Sequence, residues 1–573
     1  MPSVVPSAAA ASGDAGAPSV VTTTTTPAIL RSLQNGSDVR GVALEGVPNE
    51  PITLNEEAAY LIGAAFADWL AEKTGEQPES LSIAVGRDPR LSGPALANAM
   101  FAGFASRGVG RLIDLGLATT PACFMSTVTP GTNYDAGIML TASHLPFNRN
   151  GAKFFTREGG LDKADIADVC ARAADAADAA PGGHPVPVPR SAAEDGDGDG
   201  SSFSVVSVLG VTHAPFLPTY AAQLRDLIVA GAGIGPRPLE GFSIVVDAGN
   251  GSGGFFASEV LEPLGATTRG SRFLDPDGTF PNHSPNPEDA AAMASGVEAV
   301  LEAKADLGVV FDTDVDRSAV IDADGKELNR NRLIALLAHI VLREHPGSTI
   351  VTDSVTSDGL AAFIEKRGGK HERYMRGYKN VINRGKALDA GGEACHLMIE
   401  TSGHGAMREN YCLDDGAYLA VKIIIEAVRR KREGSGGVGD AVADLKEAAE
   451  EAEARLRLAG AAFRDAGAAV LEKLREDVEE GGASEHFPNC SPAPVNHEGL
   501  RVRVDEGDGR FGWFLLRQSL HDPVCVLNVE SEVEGGALAT LEKIDAWFDA
   551  NAFENVDASA VKAKVAELRG ARN

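Results

Sequence analysis

Ser143 stands directly before His144 in a turn of small and polar residues. Residues 141–146 have the sequence TASHLP, they follow the apolar run Ala136–Leu140, and Lys153 comes ten positions after the serine. A serine hydroxyl is a poor nucleophile unless a base, a metal ion or cations assist it, and this segment supplies such groups. A serine that follows a strand also commonly caps a helix, so the segment alone leaves both interpretations open.

Aspartates alternate after a second apolar run. Leu307–Phe311 leads into Asp312, Asp314 and Asp316, and Arg317 comes next. Carboxylates at alternate positions of an extended backbone point to one side and can bind one hard cation. Without a cation they would repel one another. The pattern predicts Mg²⁺, which suits phosphate chemistry, with a solvated acidic loop as the alternative.

Two further polar clusters occur in the second half of the chain. The first contains Glu400, Ser402 and His404. Acid, hydroxyl and imidazole groups close together suit sugar hydroxyls, although a helix-capping turn would also use them. The second contains Arg517, Ser519 and His521. Such groups could hold a phosphate through charge-assisted hydrogen bonds, and a strand-ending turn with an exposed arginine is the alternative.

Short apolar runs and helix-like stretches alternate over most of the chain. Strands are predicted at residues 81–86, 136–140, 242–247, 307–311, 349–353 and 396–399, and helices at 94–106, 219–229, 290–303 and 332–344. This alternation favours parallel sheets covered on both faces. Ligands bind beyond the carboxyl ends of strands in such sheets, which is where the first three polar clusters fall.

The last part of the chain has a different pattern. Strands are predicted in close succession at residues 499–504, 513–518 and 524–529, followed by a helix at 537–550. Before them, the Ala-, Glu-, Lys- and Arg-rich residues 441–480 predict a long helical region. This is an α+β pattern and indicates a C-terminal domain of another fold.

Length and charge limit the possible functions. At about 150 residues per domain, 573 residues suggest roughly four domains. The net charge of −29 argues against nucleic acid and anionic membranes as partners. Any phosphate ligand must therefore be held by a local cluster of cations or by a metal ion. The scattered cysteines indicate a reducing compartment, and no apolar run reaches the ~18 residues of a transmembrane helix.

The N-terminal segment resembles no secretory signal. Residues 1–27 are rich in Ala, Ser, Thr and Pro and contain no Lys or Arg, whereas a secretory signal has a basic start and an apolar stretch. We expect residues 1–28 to be a disordered tail. The predicted location is the cytoplasm, or the plastid stroma if the tail is the remnant of a transit peptide.

Taken in order, the four clusters resemble the α-D-phosphohexomutase superfamily, which includes phosphoglucomutase and phosphomannomutase. Residues 141–146 resemble its phosphoserine loop, 312–317 its magnesium loop, 400–404 its sugar-binding loop and 517–523 its phosphate-binding loop. Further matches occur at residues 37–41, 86–88, 246–251, 281–287 and 377–379. The resemblance runs from about residue 30 to the last predicted helix.

The resemblance implies an α/β fold with a central cleft. Three similar α/β domains with mixed, mainly parallel sheets would be followed by a smaller C-terminal α+β domain. We expect these domains at residues 29–214, 215–328, 329–440 and 441–573, each supplying one loop to the cleft.

The resemblance also implies an activity. Phosphate would move between O1 and O6 of a hexose phosphate (glucose, mannose or both) through a phosphoserine enzyme and a hexose 1,6-bisphosphate intermediate. Small hexose phosphates would be the only partners of a monomer or weak dimer. The implied catalytic residues are Ser143, His144, Lys153 and Arg40. One Mg²⁺ would be held by Ser143, Asp312, Asp314 and Asp316. The implied substrate-binding residues are Arg317, Lys379, Glu400, Ser402, His404, Arg517, Ser519 and His521.

Some positions depart from the family pattern. They are Leu145, Thr313, Leu520 and His521. Thr313 replaces a glycine, so we expect strain if the metal loop has a positive φ there. These departures keep open a non-catalytic regulatory protein that binds sugar phosphates. A phosphoglucosamine mutase and a magnesium-dependent phosphatase are further alternatives.

Overall fold

The computed structural model describes residues 25–179, 209–460, 462–479, 485–519, 522–551 and 553–572. Most of the expected tail, as well as Leu520 and His521, lies outside these ranges. The described residues form four sheets that follow one another along the chain. None of the described helices combines the length and the apolar character needed to cross a membrane.

The first domain is a mixed sheet covered by helices. Its strands are β1 (Gln34–Asn35), β2 (Asp38–Val42), β3 (Ser82–Arg87), β4 (Arg111–Leu117), β5 (Ala136–Leu140), β6 (Arg149–Thr156), β7 (Gly159–Gly160) and β8 (Thr212–His213). Its helices are α1 (Pro27–Ser32), α2 (Glu56–Thr74), α3 (Gly93–Ser106), α4 (Thr120–Val128) and α5 (Lys163–Ala179). The strand order is β1-β2-β6-β5-β3-β4-β8, with β7 beside β6. Strand β3 pairs in parallel with β4 and β5, whereas β5 and β6 are antiparallel.

The second and third domains repeat this plan. The second contains α6 (Leu217–Ala232), β9 (Ile244–Asp247), α7 (Ala290–Ala303), β10 (Leu307–Phe311), β11 (Ser318–Asp322) and β12 (Glu327–Leu328), ordered β12-β11-β10-β9. The third contains α8 (Asn331–Glu344), β13 (Thr349–Thr352), α9 (Asp358–Lys366), β14 (Lys370–Arg373), α10 (Tyr378–Ala390), β15 (Cys395–Ile399), β16 (Gly405–Met407), β17 (Leu413–Asp414) and α11 (Gly416–Glu433), ordered β14-β13-β15-β16-β17. Strands β5 and β10 are buried throughout, as their continuous apolar runs require, and β13 is buried together with its two threonines.

The fourth domain is an antiparallel sheet with helices. It contains β18 (Glu450–Leu458), α12 (Phe463–Glu479), β19 (Cys490–Pro492), β20 (Leu500–Gly507), β21 (Arg510–Gln518), β22 (Val524–Ser531), α13 (Gly536–Ala550), β23 (Val556–Asp557) and α14 (Ser559–Ala571), ordered β19-β20-β21-β22-β18-β23. The long helix predicted for residues 441–480 is wrong in its first half, because β18 pairs along its length with β22. Ala454, Leu456 and Leu458 are buried at alternate positions of β18, and this period of two decides the structure over the helical composition.

The fourth domain is packed as a separate unit. One hydrophobic core extends through the first three domains, from Ala84 in β3 to Val442 beyond the end of α11. The fourth domain has its own core around Trp547. An apolar contact between the third and fourth domains joins Val355 to Trp513 and Leu515.

Candidate active site

The serine loop and the aspartate loop meet across the first two domains. Ser143 follows β5 and Asp312 follows β10, and the Ser143 Oγ donates a hydrogen bond to the Asp312 Oδ2 at 3.1 Å. Ser143 has a φ of 51°, an uncommon conformation for a residue with a side chain. Its backbone N–H donates to the Thr141 Oγ1 at 2.8 Å. The loop thus aims a nearly buried hydroxyl at the aspartates.

The three aspartates fit a divalent cation. Asp312, Asp314 and Asp316 have no exposed surface, and one oxygen of each lies within 4.8 Å of the others. The Oδ1 atoms of Asp314 and Asp316 are buried and accept no hydrogen bond. Buried carboxylate oxygens with unused acceptor capacity are the ligands that Mg²⁺ prefers.

The left-handed residue of this loop is Val315 rather than Thr313. Val315 has a φ of 66°, whereas Thr313 has no positive φ, so the condition for backbone strain at Thr313 is not met. Third-domain contacts explain the position of the bend, because the Gly416 N–H donates to the Val315 carbonyl at 3.1 Å. The Thr313 carbonyl accepts a bond from the Ser252 N–H at 2.8 Å.

Buried cations balance the aspartates. The Lys153 Nζ contacts the Asp316 carboxylate and lies 3.0 Å from the Asp314 Oδ2. Burial alone would lower the pKa of Lys153, but these two carboxylates raise it well above its ordinary value. The Arg317 Nε donates to the Asp312 Oδ2 at 3.1 Å. Each aspartate therefore has a positively charged neighbour.

Arginine side chains also set the state of His144. The Arg317 Nη2 lies 2.9 Å from the Ser143 Oγ and 2.9 Å from the His144 Nδ1. Burial and the charges of Arg317 and Arg40 lower the pKa of His144 to about 3, so its ring is neutral at pH 7. Arg40 itself donates to the Asp38 Oδ2 at 2.8 Å and to the Thr141 carbonyl at 3.2 Å. The structure thus brings the four predicted catalytic side chains to one wall of the site.

The third domain places its polar loop against the aspartates. The His404 Nε2 lies 3.6 Å from the Asp316 Oδ1, and the His404 Nδ1 lies 3.0 Å from the Ser402 Oγ. The Glu400 Oε1 accepts a bond from the Gly377 N–H at 2.6 Å. Burial raises the pKa of Glu400 to about 7, and the charge of Asp353 adds to this shift.

The Lys379 side chain lies against the first domain. Its Nζ donates to the Gly160 carbonyl at 2.5 Å and lies 3.5 Å from the Asp162 carboxylate. It therefore joins the third domain to the first instead of extending to the Glu400 loop. Burial lowers the pKa of Lys379.

The fourth-domain cluster lies beside the third domain. The Arg517 Nη1 is 3.7 Å from the Glu498 Oε1, and the buried Arg517 Nε makes no hydrogen bond. The Glu498 Oε2 accepts bonds from the Ser354 Oγ at 2.6 Å and from the Arg376 N–H at 3.1 Å. The Ser519 Oγ accepts a bond from the Asp522 N–H at 3.2 Å.

Some important residues were missed in the sequence. The Thr120 Oγ1 donates to the Asp314 Oδ2 at 2.5 Å, and the Thr120 N–H donates to the Asp314 carbonyl at 2.9 Å. Arg90 is completely buried beneath the Ser143 loop. The threonine-proline step at residues 120–121 signals only a helix start, and Arg90 follows the matched residues 86–88 without belonging to them. Glu498 gives no sequence signal of its own.

Comparisons with known proteins agree with this architecture. Models of the phosphoglucomutase/phosphomannomutase alpha/beta/alpha domains I, II and III match residues 31–179, 220–325 and 329–443. The phosphoglucomutase of Neisseria meningitidis is 28% identical over 528 residues, which cover 91% of this chain and 97% of that protein. The phosphomannomutase of Salmonella typhimurium is 30% identical over 486 residues, covering 83% and 91%. A crystal structure of a phosphoglucomutase/phosphomannomutase family protein from Burkholderia thailandensis has a TM-score of 0.68 at 25% identity, covering 91% and 97%.

These matches confirm the resemblance seen in the motifs and the predicted arrangement of three α/β domains followed by a further domain. They extend over most of the chain and include the segments that carry the serine loop, the aspartate loop and the Glu400 loop. The chain therefore belongs to the phosphoglucomutase/phosphomannomutase family of the α-D-phosphohexomutase superfamily, and it is an isomerase of the intramolecular phosphotransferase type.

Proposed function

We propose that this enzyme moves phosphate between O1 and O6 of glucose phosphate, mannose phosphate or both, through phosphorylated Ser143 and a bound hexose 1,6-bisphosphate. The observation that carries the proposal is the 3.1 Å contact between the Ser143 Oγ and the Asp312 Oδ2 within a ring of buried cations. The sugars are those named for the relatives, which include a phosphomannomutase/phosphoglucomutase of Pseudomonas aeruginosa that is 28% identical over 546 residues.

In the first step, a hydroxyl of the bound hexose monophosphate attacks the phosphorus on Ser143. The new sugar O–P bond forms as the Ser143 Oγ–P bond breaks, and the hydroxyl proton moves to a base. Neutral His144 adjoins the Ser143 Oγ at 3.4 Å and is the acceptor we assign. A phosphate on Ser143 offsets the charge of Arg317, which raises the low pKa of His144 toward a useful value.

In the second step, the bisphosphate turns over in the cleft and the reaction runs in reverse with its other phosphate. That phosphate returns to the Ser143 Oγ as its bond to the sugar oxygen breaks, and the sugar oxygen recovers a proton. Glu400 and Ser402 bind the sugar hydroxyls in either pose. Arg517, Ser519 and His521 hold the phosphate that is not reacting.

Phosphoryl transfer depends on positioning and charge stabilisation more than on covalent chemistry. Asp312, Asp314 and Asp316, together with the phosphate on Ser143, would hold Mg²⁺, which offsets the charge on the transferring group. Arg40, Lys153 and Arg317 supply the remaining positive potential from the protein.

A coupled assay tests the proposal. The full chain is incubated with Mg²⁺, a trace of glucose 1,6-bisphosphate and either glucose 1-phosphate or mannose 1-phosphate. We expect the 6-phosphate to appear, and intact-protein mass spectrometry to show one phosphate that Ser143→Ala removes. The exposed Ser80 provides a matched control, because Ser80→Ala should keep both signals.

Other outcomes would identify other functions. Release of inorganic phosphate in place of isomerisation would indicate a phosphatase. Binding of hexose phosphate without turnover and without protein phosphorylation would indicate a regulatory protein. A strong preference for glucosamine 1-phosphate would assign the chain as a phosphoglucosamine mutase.

A further inference from the structure

Arg90 is a completely buried cation that the steps above do not use. It begins no helix and follows β3 by a few residues, and its side chain has no exposed surface. A buried guanidinium is costly unless each of its donors is satisfied. Its hydrogen bonds therefore show what the protein uses it for.

All five N–H donors of the Arg90 guanidinium are engaged, four of them by backbone carbonyls of the segment from Ser143 to Arg149. The Nη2 donates to the carbonyl oxygens of Ser143 at 2.5 Å and Leu145 at 2.6 Å. The Nη1 donates to the carbonyl oxygens of Pro146 at 2.6 Å and Arg149 at 3.0 Å. The Nε donates to the Asp88 Oδ2 at 3.1 Å, which completes the five donors of an arginine.

These bonds form a closed circuit around the serine. The Asp88 Oδ2 also accepts a bond from the Thr141 Oγ1 at 2.7 Å. The Thr141 Oγ1 in turn accepts the Ser143 N–H at 2.8 Å, while Arg90 binds the Ser143 carbonyl. Both backbone groups of Ser143 are thus fixed by one network, which explains how its φ of 51° is maintained against its conformational cost.

The second domain covers the same guanidinium. The Phe280 ring lies over Arg90, with 5.0 Å between the guanidinium carbon and the ring centroid. Gly278 approaches so closely that a Cβ there would lie 2.3 Å from the Pro89 carbonyl oxygen. The domain that carries the aspartate loop therefore packs directly on the residue that holds the serine loop.

We propose that Arg90 is a positioning residue that sets Ser143 for phosphoryl transfer and fixes its loop relative to the second domain. The inference rests on the proposed function. Arg90 touches Ser143 only through the backbone carbonyl, so its loss should misplace the nucleophile without removing a substrate contact. Lysine has three N–H donors and no planar fork, so Arg90→Lys keeps the charge and loses most of the network.

The test measures kcat, KM and phosphorylation of Ser143 in Arg90→Lys and Arg90→Ala, with melting temperatures as a check on folding. Displacing a reacting group by about 1 Å can cost about 100-fold in rate. We therefore expect folded Arg90→Lys to lose about 100-fold in kcat with little change in KM, and to be phosphorylated slowly by glucose 1,6-bisphosphate. Millimolar guanidinium should partly restore kcat in Arg90→Ala, and ammonium should not.

Arg87→Lys is the matched control, because Arg87 pairs with Asp114 and lies outside the network. It should keep the kcat of the wild type. If Arg90→Ala does not fold, Arg90→Lys and Phe280→Leu carry the test, with a smaller loss of kcat expected for Phe280→Leu. Wild-type kcat and full phosphorylation in Arg90→Lys would overturn the inference. Absence of mutase activity in the wild type would instead overturn the proposed function.

Discussion

Thr120→Val should weaken Mg²⁺ binding without unfolding the protein. The Thr120 hydroxyl donates to the Asp314 Oδ2 at 2.5 Å, and valine has nearly the same shape but no donor. A hydrogen bond to a charged group contributes about 1.5–3 kcal/mol. The Asp314 Oδ2 keeps Lys153 at 3.0 Å, so the lower end of this range applies. If this hydrogen bond orients Asp314 for the cation, losing about 1.5 kcal/mol raises the dissociation constant for Mg²⁺ about tenfold.

Isothermal titration of the full chain with Mg²⁺ measures this change directly, with no need for turnover. The matched control is Thr127→Val in the same helix α4, where the buried hydroxyl donates to the Phe124 carbonyl at 2.8 Å. This control should bind Mg²⁺ as the wild type does. Equal affinity in Thr120→Val and wild type would refute the idea that Thr120 orients Asp314.

Two more predictions concern charge. Lys153→Met leaves Asp314 and Asp316 without their shared buried cation, and removing one partner of a buried ion pair costs about 3–5 kcal/mol. Thermal unfolding should therefore show a lower melting temperature, which added Mg²⁺ largely restores. Equal losses of melting temperature with and without Mg²⁺ would contradict the charge argument. The pKa of Glu400 rises from 4.5 to about 7 on folding, so between these pH values the folded state binds more protons and stability falls as pH increases. Glu400→Gln should flatten this part of a profile of melting temperature against pH. An unchanged profile would show that Glu400 is not the group responsible.

The sequence predicts most of the fold because its central strands are fully buried. Ala136–Leu140 and Leu307–Phe311 coincide with the predicted segments, since strands covered on both faces are continuous apolar runs. The helix predicted across residues 450–458 is wrong because Ala, Glu and Arg favour helices locally, whereas pairing with the distant strand β22 decides the structure. Information of this kind is not present in the local composition.

In the candidate site too, local sequence patterns were recognised as motifs, whereas roles that depend on distant contacts were missed. Residues grouped in local motifs were found, and the structure joins Ser143 to Asp312 across 169 positions. Thr120 was missed because its partner Asp314 is 194 positions away, and Arg90 because its partners are mainly backbone carbonyls, which carry no sequence signature. The sequence shows only that Thr313 stands where the family pattern has a glycine, and this does not locate the bend of the metal loop. Its actual place at Val315 depends on a contact from the third domain.

The contact between Gly416 and Val315 constrains the second and third domains to evolve together. Gly416 begins α11 and binds the Val315 carbonyl, and a Cβ at Gly416 would lie 2.5 Å from the backbone carbon of Arg317. A chimera with only the second domain from a relative would pack the relative's metal loop against the start of α11, which fits the metal loop of this chain. Recombination between homologues should therefore preserve activity most readily when both domains are exchanged together.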